Sequence, residues 1–172
     1  MDIQALVNEI PDSDQSVVEG IDFISNGKQF LMFNLGSESY AVDILCVEEI
    51  RSWEAPTKIP NAPEYVKGVI NIRGLIVPII DFRLKFDICR ADYVDSTVVM
   101  VLTIDSDTIT KTMGFVVDAV SDVIDVDENE IKADSGFVGS IPPENIQGLV
   151  NVNDDVVTVL NVKALQYVDN TH

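Results

Sequence analysis

Gly68-Val69-Ile70-Asn71-Ile72-Arg73-Gly74 returns eighty residues later as Gly148-Leu149-Val150-Asn151-Val152-Asn153-Asp154. The match runs on without a gap, from Ile76-Val77-Pro78-Ile79-Ile80-Asp81-Phe82-Arg83 to Val156-Val157-Thr158-Val159-Leu160-Asn161-Val162-Lys163. Glycine, asparagine and one valine are identical, and most other positions exchange like for like. Each copy reads as two β-branched, apolar runs joined by a turn, a strand–turn–strand unit. A weaker echo lies upstream, where Tyr40-Ala41-Val42-Asp43-Ile44-Leu45 resembles Phe115-Val116-Val117-Asp118-Ala119-Val120. The spacing predicts a duplication. Its product is two similar β-lobes of roughly 70–80 residues that share one core, because a unit of that size buries too little surface alone.

Working outward, the remaining elements read the same way. Phe30–Leu35 and Ser39–Val42 flank Gly36-Ser37 and predict a hairpin. Val69–Ile72, Leu75–Phe82, Thr97–Ile104, Met113–Val117 and Val156–Val162 are short, turn-separated strand candidates, which favours an all-β architecture over alternating βαβ units. Pro78 inside one of them marks a strand edge, a bulge or a barrel corner. Residues 56–63 hold three prolines and predict an extended loop, followed by one helical turn over Glu64–Lys67. Before Lys28 there are six acids and no base, so residues 1–27 read as a mostly disordered, self-repelling leader. A globular domain over 28–168 and a short tail over 169–172 complete the expected organisation.

The 172 residues carry a net charge of −18, which argues against nucleic acid and against anionic membrane surfaces as partners. No apolar run is long enough to span a bilayer and no signal peptide is visible, so the expectation is a cytoplasmic protein without direct membrane insertion. Two cysteines, Cys46 and Cys89, do not make a disulfide framework, and acidic neighbours at Glu48 and Glu49 are expected to raise the Cys46 thiol pKa. The sole histidine is His172, which removes the usual centre of acid–base, triad and metal chemistry. Phosphate-binding glycine motifs and the nucleophile elbow are absent from the sequence. Asp118, Asp122, Asp125, Asp127, Glu128 and Glu130 form an acidic stretch, but it lacks the central glycine of a calcium loop and alternates with valine and isoleucine. The reading is a protein that is not an enzyme, with no cofactor and no metal. The second reading, of another class, is a small acidic β-barrel module that binds a ligand or divalent cation through this stretch.

The basic residues are concentrated. Seven of the eleven fall in residues 48–90, where six acids leave a balance of +1. That window also holds Trp53, which is either a half-buried core residue or a docking aromatic. A near-neutral patch on an acidic protein is where another protein docks without repulsion. Arg73, on a tight turn ahead of Gly74, has the fixed direction that a bidentate contact needs, against the plainer reading of a surface arginine.

Several blocks in register carry a resemblance: Phe30–Leu35, Tyr40-Ala41-Val42-Asp43-Ile44, Val47-Glu48-Glu49-Ile50, Pro60-Asn61-Ala62-Pro63, Gly68–Gly74, and Val77-Pro78-Ile79-Ile80-Asp81. Gly114–Val126 and Gly148–Leu165 continue it in order. Over about residues 28–168 the chain resembles the CheW family of bacterial chemotaxis coupling proteins. The resemblance implies two five-stranded, SH3-like β-barrels with a shared core and few short helices. It also implies a non-enzymatic adaptor, monomeric when free. Such an adaptor joins the cytoplasmic tips of methyl-accepting chemoreceptors to the regulatory domain of the histidine kinase CheA, and is recruited to membrane-attached receptor arrays. By motif, Val47, Arg73, Val98 and Val123 would bind receptor. Ile50, Lys58, Ile59 and Asn61 would bind kinase. With no receiver domain or kinase module in the sequence, a free-standing coupling protein is expected.

Overall fold

The computed structural model describes residues 27–106, 108–133 and 141–165. Residues 1–26 of the expected leader, and the tail, lie outside these residues; Gly27, expected in the leader, opens the first strand opposite Asp127. Ten strands and two short helices follow one another: β1 Gly27–Leu35, β2 Glu38–Asp43, β3 Val47–Ser52, β4 Val66–Ile72, β5 Leu75–Asp81, α1 Phe82–Lys85, β6 Val98–Asp105, β7 Thr110–Val117, β8 Ala119–Asp127, β9 Ile146–Val152, β10 Asp155–Leu160 and α2 Val162–Leu165. Three single-turn 3-10 helices fill Ile44–Cys46, Glu128–Glu130 and Pro143–Asn145.

The strands form two five-stranded sheets, with order β9-β10-β2-β1-β8 in the first and β4-β5-β7-β6-β3 in the second. The two orders are equivalent element by element. In each sheet a hairpin from one copy of the repeat (β9–β10, β4–β5) lies parallel against a hairpin from the other (β2–β1, β7–β6). The repeat copies are consecutive in the chain, but the sheets are not: β1–β2 and β3–β5 belong to one copy and enter different sheets. The two expected five-stranded units are present, and each is built from strands of both repeat copies. The structure also corrects the weaker echo by two residues. Ala41 pairs with Val159 and Gly114 with Ile79, so Ala41 corresponds to Gly114 and Val42 to Phe115. A two-residue slip keeps every side chain on its own face, so the hydrophobic pattern does not register it.

Close contacts explain what the copies retain. The chain after β3 makes one antiparallel bridge, Thr57 to Val69, and the chain after β8 makes the equivalent one, Lys132 to Leu149. Each bridge joins the two edges of a sheet, a step toward barrel closure. Gly68 and Gly148 sit under these crossings, and Gly68 has φ 140° with the Thr57 carbonyl where a Cβ would be. Arg73 and Gly74 have φ 52° and 88°, and Asn153 and Asp154 have 52° and 72°. Positive φ at both central residues is the geometry of a type I′ hairpin turn. Asn71 Oδ1 accepts the Gly74 N–H at 2.8 Å and closes the first of them.

Pro78 lies within β5, paired with Val69, one residue before the parallel ladder to β7 begins at Ile79. Its missing N–H falls where no partner strand needs it. The expected helical turn at Glu64–Lys67 is instead a turn leading into β4: Val66 N donates to Pro63 O. The acidic stretch after Asp118 is a strand, β8.

Three clusters make the core. The central one lies between the sheets, with Leu31, Val42 and Leu160 from one side and their counterparts Met100, Phe115 and Ile80 from the other. Phe33 stacks on Phe82 at 6.2 Å and Phe82 on Phe115 at 4.4 Å, a row of rings running from sheet to sheet. Such pairs add about 0.5–1.5 kcal/mol each beyond the area they bury. Each sheet also covers a smaller core on its opposite face, around Phe30 and Val159 in the first and around Ile79 and Val99 in the second.

Candidate functional site

The β4–β5 hairpin carries Arg73 at its tip. The guanidinium is 72% exposed and its Nη2 donates to Glu49 Oε1 at 2.9 Å, while Glu49 Oε2 accepts from Arg51 Nη1 at 3.2 Å. Glu49 lies on edge strand β3, so the ion pair aims the turn back across the end of the second sheet. Beside it opens a groove of ≈ 290 Å³, with Ile72, Val77 and Val101 as an apolar floor and Arg73, Leu75 and Glu48 on the rim. Leu75 and Ile76 are exposed beside the turn. The combination offers an apolar seat next to a directed cation.

Val47 and Val98 are half-buried and pack against the central core. They stand at opposite ends of the β3–β6 ladder, Val47 opposite Leu102 and Val98 opposite Ser52. Arg73 is brought to β3 through Glu49, two residues from Val47. Val123 is on the edge strand of the other sheet, opposite Leu31. Its counterpart under the repeat is Ile50, opposite Met100. The two are exposed alike, 47% and 44%, on the edges flanking the central core. Lys58, Ile59 and Asn61 are exposed in the proline-rich loop, where Ala62 N donates to Ile59 O and Asn61 has φ 64°. Thus Val47 and Ile50 share edge strand β3 of the second sheet, Arg73 reaches that strand from the hairpin at the opposite edge through Glu49, Lys58, Ile59 and Asn61 share the loop that follows β3, and Val123 belongs to the first sheet. Trp53 is half-buried: it packs against the second sheet's inner core and stacks on Tyr93 with ring centroids 4.4 Å apart.

The sequence reading did not single out the most buried polar cluster. Arg83 is 1% exposed. Its Nε and Nη2 donate to the two oxygens of Asp81 at 3.0 Å each, and its Nη1 to Asp118 Oδ1 at 2.6 Å and to the Asp92 carbonyl at 2.8 Å. Tyr93 Oη donates to Asp81 Oδ2 at 2.6 Å, and Gly36 N to Asp118 Oδ2 at 2.6 Å. Burial works against the Arg83 charge, but the hydrogen bonds to both carboxylates outweigh it and move its pKa up. Burial, then the bond to Asp81, raises the Tyr93 hydroxyl as well. The signal was available in the repeat: Asp81 and Arg83 are replaced by Asn161 and Lys163 in the second copy.

The remaining acids and thiols have local roles. Asp127 caps the Glu128–Glu130 turn, Glu130 bonds back to the Asp127 N–H, and Glu128 pairs with Lys28 at 3.0 Å. Among the described residues no three thiols, imidazoles or carboxylates are grouped to hold a metal ion. The Cys46 thiol pKa is raised, first by burial and then by Asp43 and Asp105; Glu48 and Glu49, expected to act there, are not among the causes. Cys89 is raised by burial and by Asp118. No described helix is long and apolar enough to cross a membrane.

Strand-exchanged sheets on a common core, with apolar and cationic groups on an exposed edge, define a class: an all-β protein of two matched five-stranded sheets. The CheW-like domain family matches residues 29–168, and the chain belongs to that family. It is 39% identical over 139 residues to the chemotaxis protein CheW of Klebsiella aerogenes, covering 81% of each chain. Against the chemotaxis protein CheW of Bacillus subtilis the identity is 27% over 142 residues, 83% of this chain and 88% of that one. The crystal structure of the scaffolding protein TtCheW from Thermoanaerobacter tengcongensis matches with a TM-score of 0.72 and 31% identity, over 81% of this chain and 87% of that chain. Membership places the chain in the family of these chemotaxis and scaffolding proteins.

Proposed function

We propose that this protein is an adaptor that couples the cytoplasmic tips of chemoreceptors to the regulatory domain of a CheA histidine kinase, as a cytoplasmic monomer recruited to receptor arrays. The observation that carries the reading is Arg73, a mostly exposed arginine fixed on a type I′ turn beside an apolar groove, in the least acidic part of a chain of charge −18. A receptor tip is a helical hairpin, and docking it takes an apolar ridge plus a few directed polar contacts. Val47, Val98 and Val123 supply the apolar part, and Arg73 a bond to a receptor carboxylate or carbonyl. Exposed Ile50 and Ile59, with Lys58 and Asn61, form the kinase-facing surface.

The test is binding of the purified chain to a receptor-tip hairpin and to a CheA regulatory domain. Arg73→Ala weakens receptor binding by roughly 1–3 kcal/mol, the range for a lost charged hydrogen bond. Its exposed ion pair with Glu49 is worth under about 1 kcal/mol, so the melting temperature stays close to that of the parent. Arg73→Lys does not fully restore binding, because an ammonium lacks the planar fork. Failure of the parent chain to bind either partner sinks the proposal.

A further inference from the structure

The Arg83 cluster joins pieces that otherwise belong to different bodies. Asp81 ends β5 in the second sheet and Arg83 lies in α1 directly after it; Asp92 and Tyr93 lie in the link between the repeat copies; Gly36 is in the turn of β1–β2 in the first sheet. Asp118 holds the joint. It is the single residue between β7 and β8, where the chain crosses from the second sheet to the first. One of its oxygens accepts from Arg83, the other from Gly36 N, and its own N–H donates to Asn34 O at 3.1 Å. In the second copy Asn161 stands for Asp81, its amide donating to the Glu144 carbonyl, and Lys163 stands for Arg83, so the guanidinium–carboxylate pairing belongs to the first copy. The β-hairpin unit therefore does not require these charges to close, and their cost of burial in the first copy calls for another role.

We propose that Asp118, through Arg83 and Gly36, fixes the angle between the two sheets and is a positioning residue for the surface that spans them. This rests on the receptor and kinase surfaces proposed above. The receptor set draws on both sheets, Val47, Val98 and Arg73 from the second and Val123 from the first. The kinase set, Ile50, Lys58, Ile59 and Asn61, lies on the second sheet and its loop alone. A change in the angle between sheets alters the first surface and leaves the second intact. Asp118 touches neither, and β8, which it anchors, carries Val123 five residues on.

The experiment compares Asp118→Asn with the parent chain. An asparagine keeps the shape but turns one acceptor into a donor facing an N–H. The expected result is receptor-tip binding weakened about tenfold, with kinase-domain binding within about twofold of the parent. Spin labels carried by unnatural amino acids at exposed Ile109, in the β6–β7 turn of the second sheet, and exposed Val156, on β10 of the first, report a broader distance distribution in the variant. A merely structural role lowers both affinities together or neither. Equal loss of both, unchanged receptor binding, or an unchanged distance distribution overturns the proposal. If Asp118→Asn does not fold, Asp118→Glu, which keeps the charge and displaces it by a methylene, is read by the same criteria. A parent chain that binds neither partner refutes the coupling function, while the label distances still decide whether Asp118 sets the angle.

Discussion

Arg73 holds a left-handed backbone conformation that costs an L-residue about 1–2 kcal/mol, at a position where its neighbour is glycine. The sequence places it on a tight turn ahead of Gly74; the type I′ geometry requires positive φ at both residues. What the sequence did not disclose was Glu49, because an ion pair between a hairpin tip and another strand depends on sheet order. Tyrosines make a second prediction at this scale. Burial and a hydrogen bond to a carboxylate raise the pKa of Tyr40, bonded to Glu38, and of Tyr93, bonded to Asp81, above the ordinary 10.0. Both are neutral when protonated, and in the unfolded chain they ionise near pH 10. Their contribution is complete below that pH and is lost as pH rises past it. The raised thiols of Cys46 and Cys89 begin the same decline near their ordinary 9.0. Melting temperature is thus expected to fall on the alkaline side, and the Tyr40→Phe, Tyr93→Phe double variant to fall less steeply above about pH 10. Parallel curves for variant and parent would contradict it.

Among the elements, the hairpins were legible and the crossings were not. Short apolar runs mark β1, β2 and β5 because each of these strands packs on a core with both faces. β8 escaped because a bulge opposite Met32 and Phe33 shifts its phase: Val120 packs on the central core, Ile124 and Val126 on the smaller one, and Val123 faces out. The glycine retained in both copies was visible, but its reason, a strand passing overhead, was not. That reason makes a ranking. At Gly68 a Cβ meets the Thr57 carbonyl and φ is 140°, so Gly68→Ala should cost at least ~2 kcal/mol. At Gly148 the new Cβ meets Ile131 Cγ2 and Lys132 O at 2.6 Å, and the backbone is unstrained. Gly148→Ala should therefore cost less, about 1–2 kcal/mol. Urea unfolding of the two variants gives the order directly, and the reverse order would show that the two crossings are not equivalent.

At the scale of the molecule, the repeat predicted duplication and a shared core, and its even period concealed the exchange of strands. Pattern alone does not say whether two copies fold side by side or through one another, since both bury the same faces. Exchange makes a prediction. A chain cut after Arg90, in the link between copies, gives two fragments that each lack partners for both sheets. Either alone should show no native β-sheet signal by circular dichroism, and mixing them should restore it; a folded single fragment would argue against exchange as the basis of stability. Charge follows the same division, because the near-neutral window 48–90 coincides with β3, β4, β5 and α1 of the second sheet. On the ribosome, the strand order imposes a sequence of events. The five strands of the second sheet, β3 to β7, are contiguous and can assemble once Val117 has emerged, whereas β1 and β2, made first, wait for Leu160 before their sheet is complete. At about 5–20 residues per second, the 43 residues from Val117 to Leu160 take roughly 2–9 seconds. Through it the nascent chain carries an open hairpin edge beside a finished sheet, and neighbouring ribosomes on one message have that long to pair the wrong copies.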